Sequence, residues 1–152
     1  MTSWPHGPGV VELPDRRRVR CRGLREGPPV GPEPDVGYYL LGDEPPQMPW
    51  PAVWIRWPDF RLPADRPRAI AALREAFERS ADERVEIACR GGRGRTGTAL
   101  AVLAVLAGIA PEDAVEWVRR AYHPRAVETP WQRRWIRHLD VARTRGERGP
   151  GR

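Results

Sequence analysis

The sequence predicts a single α/β domain: a short central sheet, mostly parallel near Val85 to Cys89, flanked by helices. Three observations carry that expectation. A length of 152 residues suits one domain. The first half is punctuated by proline and holds short runs of branched and aromatic residues, whereas the second half shows helical periodicity. A glycine-rich stretch, Arg90 to Gly97, stands between a short apolar strand and a long apolar segment.

Of the 18 prolines, 14 lie in residues 1–67. Proline lacks the amide that helix interiors and inner strands require, so this half should be short strands and fixed loops. Val10 to Leu13 and Arg18 to Leu24 read as strands around a Pro14-Asp15 turn. Val36 to Leu41 and Val53 to Trp57 are further strands, separated by loops at Gly27 to Asp35 and Asp43 to Pro51. A helix opens near Arg66, where Ile70, Leu73 and Phe77 recur on one face. Val85 to Ala88 is an apolar strand interrupted by Glu86. Thr98 to Gly108 is apolar on nearly all sides, which marks a buried helix. Pro111 with Glu112 and Asp113 opens the next helix, with Val115, Val118 and Tyr122 inward. Thr129, Pro130 and Gln132 open the last, carrying Trp131, Trp135 and Leu139. Residues 1–142 are expected to form the domain and residues 143–152 a basic, disordered tail.

Composition narrows the function classes. A hydrophobic content of 40% supports a packed core, and two cysteines are too few for a disulfide-stapled secreted scaffold. The start, Met1 to Pro14, lacks the basic and apolar regions of a signal peptide. Thr98 to Ala110, the longest apolar run, falls short of the roughly 20 residues a membrane crossing needs, so no transmembrane segment is expected and the cytoplasm is the expected compartment. The net charge of +6 is carried by arginine without a single lysine, which fits codon bias or a preference for planar, bidentate donors. Either way anions should be attracted, and basic nucleic-acid binders share this balance.

The chemistry concentrates in Cys89-Arg90-Gly91-Gly92-Arg93-Gly94-Arg95-Thr96. Glycines let successive amides turn inward as an anion-binding nest, and the following helix adds the positive end of its dipole. The Walker nucleotide-binding signature does not fit: its lysine is missing, and Cys89 stands where its first glycine belongs. What remains is a cysteine with an arginine and a hydroxyl behind it. Amides and dipole lower a thiol pKa from about 8.5 into roughly 3.5 to 7.5, giving a nucleophilic thiolate. Arg95 can grip two phosphoryl oxygens in a planar fork, and Thr96 can donate to the sulfur.

At these residues the chain resembles the cysteine-dependent protein tyrosine and dual-specificity phosphatase superfamily, in its compact bacterial-type form. Cys89, Arg95, Thr96 and Gly97 meet its Cys-x5-Arg-Thr-Gly pattern. Trp57-Pro58-Asp59-Phe60 looks like its mobile general-acid loop, and Val127 to Gln132 is similar to the glutamine loop that positions water. The resemblance covers residues 57 to 132 and leaves the first 50 without a family motif. It implies a phosphatase-type loop with Cys89 as nucleophile and Arg95 as phosphate binder, the amides of Arg90, Gly91, Gly92, Arg93, Gly94 and Arg95 holding the oxygens. Asp59 would protonate the leaving oxygen and then activate water, with Gln132 orienting that water. No cofactor or metal is implied. Ala88 departs from the pattern, replacing a histidine that commonly precedes the cysteine.

The expected partner is a phosphorylated protein, phosphotyrosine first, or an anionic phosphorylated small molecule such as a phosphoinositide. The latter is suggested by Arg90 and Arg93, which occupy positions that are lysine in the phosphoinositide 3-phosphatases of similar pattern. A catalytically inactive phosphate or nucleic-acid binding module is the reading from another class. Plainer roles stand beside the sharp ones. Cys21 reads as strand packing or as a redox partner of Cys89. Asp59 also suits a turn. Thr129 and Gln132 also spell a helix capping box. Trp117, Trp131 and Trp135 read as core, and Tyr38, Tyr39 and Trp50 as cleft or packing.

Overall fold

The computed structural model describes residues 3–147. Five strands form one sheet: β1 (Val10–Glu12), β2 (Arg18–Gly23), β3 (Val36–Leu41), β4 (Ala52–Arg56) and β5 (Val85–Cys89). Their order across the sheet is β1-β2-β5-β3-β4. Only β1 and β2 are antiparallel; β5 pairs in parallel with β2 on one side and β3 on the other. All five residues of β5 are buried, as a central parallel strand requires. The helices are α1 (Arg66–Arg79), α2 (Gly94–Leu106), α3 (Pro111–Ala121), α4 (Pro130–Arg137) and α5 (Val141–Thr144).

Alternation along the strands divides the sheet into two unlike faces. Val19, Cys21, Val36, Tyr38, Leu40, Ile55, Val85, Ile87 and Cys89 point into the main core, where Leu73 of α1, Leu100 and Leu103 of α2, Val118 of α3 and Ile136 of α4 meet them. Tyr39, Leu41 and Ala88 point the other way and pack with Leu24 and Met48, which belong to no α-helix. The proline-rich segments thus cover this second face with loops.

Glu86 does not interrupt its strand but anchors the second face. It lies opposite Arg20 in the register, and its Oε1 accepts from Arg20 Nη2 at 2.7 Å and Arg22 Nε at 2.6 Å. Its Oε2 accepts from the Tyr39 hydroxyl at 2.8 Å, and Trp50 Nε1 donates to that same hydroxyl at 2.6 Å. Tyr38, on the opposite face, donates to Glu75 of α1 at 2.7 Å. Both tyrosines are therefore packing residues rather than cleft walls. Gly37 makes room for the second-face cluster, since a Cβ there would run into the Tyr39 hydroxyl.

Three expectations need correction. The apolar helix begins at Gly94, not Thr98, so the second half of the glycine-rich stretch is already helical. Trp117 and Trp135 pack on the core, but Trp131 is 52% exposed. Residues 143–147 do not fray: α5 is capped by Asp140, Thr144 is buried, and Arg74 of α1 donates to the carbonyls of Arg143 and Thr144. The rest of the expected tail, 148–152, lies outside the described residues.

Candidate active site

Cys89 ends β5 and Gly94 starts α2, so the intervening loop turns a central strand directly into the mouth of a buried helix. The C-terminal edge of parallel strands is where sheets of this kind hold ligands. The Cys89 thiol is buried, and its Sγ accepts from the Gly92 amide at 3.1 Å. Gly92 sits at φ +78°, and a Cβ there would come within 2.5 Å of the Gly23 nitrogen. Only glycine fits this turn against the end of β2. Gly97 serves a second close approach, where a Cβ would meet Ala126 at 2.7 Å.

Arg95 lies in the first turn of α2 and is 4% exposed. Its Nη1 donates to the Trp57 carbonyl at 3.0 Å, its Nη2 reaches Asp59 Oδ1 at 3.4 Å, and its Nε is buried without a partner. A buried guanidinium nitrogen without an acceptor is costly. An anion above Cys89 would supply one. Asp59 itself is 54% exposed and accepts from the Phe60 amide at 3.0 Å.

The fold brings Cys89, Arg90, Gly91, Arg93, Gly94, Arg95 and Asp59 to one cleft of about 350 Å³. Three residues to which the sequence reading gave no role line it too: Arg25, Glu26 and Glu128. Arg25 and Glu26 come from the 3-10 turn Leu24–Glu26, docked by the Arg25 amide on the Arg90 carbonyl at 3.2 Å. Glu128 stands over the first turn of α2; a Cβ on Gly94 would meet its Oε1 at 2.5 Å. Four arginines against three carboxylates leave the cleft cationic. A neighbouring cleft of about 500 Å³ shares Arg25, Asp59, Arg90 and Arg95 and continues past Leu41, Asp43 and Glu44.

Two expected roles are altered by the geometry. Thr96 is fully buried, but its Oγ1 has no hydrogen-bond partner, so it does not donate to the sulfur. Gln132 is fully buried and committed elsewhere: its Oε1 accepts from the Thr129 amide at 3.2 Å, and its backbone N–H donates to Thr129 Oγ1 at 3.1 Å. That is the capping box, and the side chain that makes it is wholly buried away from the cleft surface. The remaining Nε2 donates to the Arg61 carbonyl at 3.0 Å. Trp131 Nε1 donates to the Phe60 carbonyl at 2.6 Å, and the Trp135 ring stands edge-on to Trp57 at 5.9 Å. Helix α4 therefore pins the loop that carries Asp59 from three positions.

Cys21 lies opposite Ile87, two residues short of Cys89. Strands spaced about 4.8 Å and an offset of about 6.6 Å give a Cα separation of about 8 Å. A disulfide needs under about 7 Å, so the redox reading requires backbone movement. Strand packing accounts for Cys21, and burial pushes its thiol well above the ordinary range, with Glu86 and Cys89 adding to the shift.

Residues 62–149 match the family model described as Swiss Army Knife protein, DSP-PTPase phosphatase domain. The chain belongs to that family. Two solved structures are similar to this DSP-PTPase domain across nearly its whole length. One is Tk-PTP in the active form, with TM-score 0.65 and 26% identity over 86% of this chain and 95% of that one. The other is Tk-PTP in a glycine-to-alanine mutant form, with TM-score 0.64 and 27% identity over 80% of this chain and 87% of that one. Two uncharacterized proteins of Methanocaldococcus jannaschii are 34% and 33% identical over 86 residues, 57% of this chain. They cover 53% and 57% of those proteins, so the chain spans about half the length of the curated relatives it matches. The DSP-PTPase domain is thus a member of the cysteine-dependent dual-specificity phosphatase superfamily, with the expected α/β fold. Among the described residues no helix is long and apolar enough to cross a membrane, and no group of three or more metal-ligating side chains gathers.

Proposed function

We propose that the protein hydrolyses phosphate monoesters through a phosphocysteine intermediate. The observation that carries this reading is the convergence of the Cys89 thiol, the partnerless Arg95 Nε and Asp59 on one cationic cleft. The substrate phosphoryl group sits over the loop amides with its oxygens on Arg95. The Cys89 thiolate attacks phosphorus as the ester P–O bond breaks, and Asp59, carrying a proton, delivers it to the leaving oxygen. Asp59, now a carboxylate, takes a proton from water; the resulting hydroxide attacks phosphorus, the S–P bond breaks, and phosphate leaves with the thiolate restored. Gln132 supports both steps by holding the Arg61 end of the acid loop.

Phosphotyrosine on protein is the first substrate class, because exposed Phe60 lines the cleft as an aromatic wall for the phenol ring. A polyanionic phosphate is the second, favoured by Arg25, which joins Arg90 and Arg93 around the cysteine. The cytoplasm is the proposed compartment. The test is steady-state hydrolysis of a phosphotyrosine peptide, a phosphoserine peptide, a phosphoinositide and a nucleoside triphosphate by the full chain and by Cys89→Ser. Turnover of at least one by the wild type, absent in Cys89→Ser while oxyanion binding is retained, is the expected result. Undiminished hydrolysis by Cys89→Ser would rule out the covalent route, and binding without turnover by the wild type would favour a non-catalytic phosphate module.

A further inference from the structure

Tyr122 caps the C-terminal end of α3, outside every motif in the sequence. Its hydroxyl nevertheless donates to the Gly92 carbonyl, at 2.5 Å, in the middle of the catalytic loop. The same glycine gives its amide to Cys89 Sγ at 3.1 Å. A trans peptide is planar, with its carbonyl and the following N–H on opposite sides. Holding the Gly92 carbonyl outward therefore turns the Arg93 N–H inward, toward the concave side where phosphoryl oxygens would sit. Nothing within Gly92 fixes that orientation, because a residue without Cβ accepts many backbone angles. Nor can a larger residue fix it, given the 2.5 Å approach of Gly23. The restraint has to come from outside the loop.

We propose that Tyr122 is a positioning residue for the phosphate loop, its hydroxyl fixing the Gly92–Arg93 peptide so that the Arg93 amide faces the oxyanion. This rests on the reading of the Cys89 loop as the phosphate site. Burial pushes the Tyr122 phenol well up, with the neighbouring Cys21, Cys89 and Glu26 adding to it, so the group remains a donor throughout the working pH range. Behind the loop, Tyr122 and His123 line a cavity of about 310 Å³ with Gly23, Gly91, Gly92 and Arg93, so the C-terminal end of α3 meets the loop at this corner.

The experiment measures binding of tungstate, an oxyanion that cannot be hydrolysed, by calorimetry on the full chain. Loss of one hydrogen bond of ordinary net strength, about 1 kcal/mol, corresponds to a roughly fivefold weaker dissociation constant. Tyr122→Phe should show that loss, with kcat/KM falling at least as far. Trp117→Phe, elsewhere on α3, should leave tungstate affinity unchanged whatever it does to the melting temperature. Incorporating 4-aminophenylalanine at position 122 restores a donor at the same place and should return affinity to within twofold of wild type. Wild-type affinity in Tyr122→Phe, an equal loss in Trp117→Phe, or no recovery with 4-aminophenylalanine would each overturn the proposal. Failure of the wild-type protein to bind tungstate would instead remove the phosphate-site reading on which it rests.

Discussion

Replacing Glu86 by glutamine should be among the most damaging single changes outside the Cys89 loop. The carboxylate is inaccessible, while Arg20 and Arg22 are only 3% and 8% exposed, so the change leaves two guanidinium charges facing a neutral amide in a buried site. Both arginines and Tyr39 spend hydrogen bonds on it. Breaking a buried ion pair by removing one partner costs about 3 to 5 kcal/mol. In a domain of this size each kcal/mol lowers the melting temperature by roughly 2 to 4 °C, so calorimetry should find Glu86→Gln about 6 to 20 °C below wild type. Acid titration supplies an independent check. Burial alone would raise the Glu86 pKa, but hydrogen bonds from Arg22, Tyr39 and Arg20 outweigh it and hold the carboxyl below its usual value. A carboxylate lowered in the folded state stabilises fully above its unfolded pKa of about 4.3 and loses that contribution as pH falls through the folded value. The stability difference between wild type and Glu86→Gln should accordingly shrink below about pH 4. A drop of under 3 °C at pH 7, or a difference that does not change with acid, would refute the reasoning.

Two further outcomes concern the cleft. Arg95→Lys keeps the charge but loses the fork, so both tungstate affinity and kcat/KM should fall by more than tenfold; near wild-type values in both assays would show that the bidentate grip is not used. Asp59→Asn should slow hydrolysis of aryl phosphates with poor leaving groups by about 10² to 10⁴ while sparing good ones, read as a steeper dependence of rate on leaving-group pKa; equal losses would make Asp59 a turn residue.

Where side-chain identity and spacing themselves carry chemistry, the sequence was legible. Cys89, Arg95 and Asp59 meet because a strand end, a helix start and the loop after β4 share one edge of the sheet, and the short spacing of the first two fixes their loop. Arg25 and Glu128, which line the cleft, and Tyr122, which meets the loop from behind, were not legible, because tertiary packing that no local pattern records brings them there. Gln132 was ambiguous for a physical reason: capping and water positioning ask for the same residue at the same helix position, and burial decides between them. The start of α2 was misplaced because glycine has low helix propensity, yet here the close approach of residues 126 and 127 requires it. Trp131 follows helical spacing like a core residue, but the surface it meets is the loop that carries Asp59, so it donates a hydrogen bond there and stays half in solvent.

The placement of β5 has a consequence for how the protein comes to be active. The last strand in sequence is the middle strand in space, and it slots between β2 and β3, each of which is far away along the chain. Parallel pairs of such separation pay their loop-closure entropy before any pairing rewards it, which makes sheet completion a slow step in folding. Cys89 ends that strand, so the loop that follows it is anchored only once the sheet is closed. A fragment trimmed to residues 62–149 would keep the cysteine, the glycines and every helix, yet lack four of the five strands and Asp59. During synthesis Cys89 follows the other four strands but precedes α2 to α5, so the cleft that Arg95 and Glu128 help to line is completed only after it.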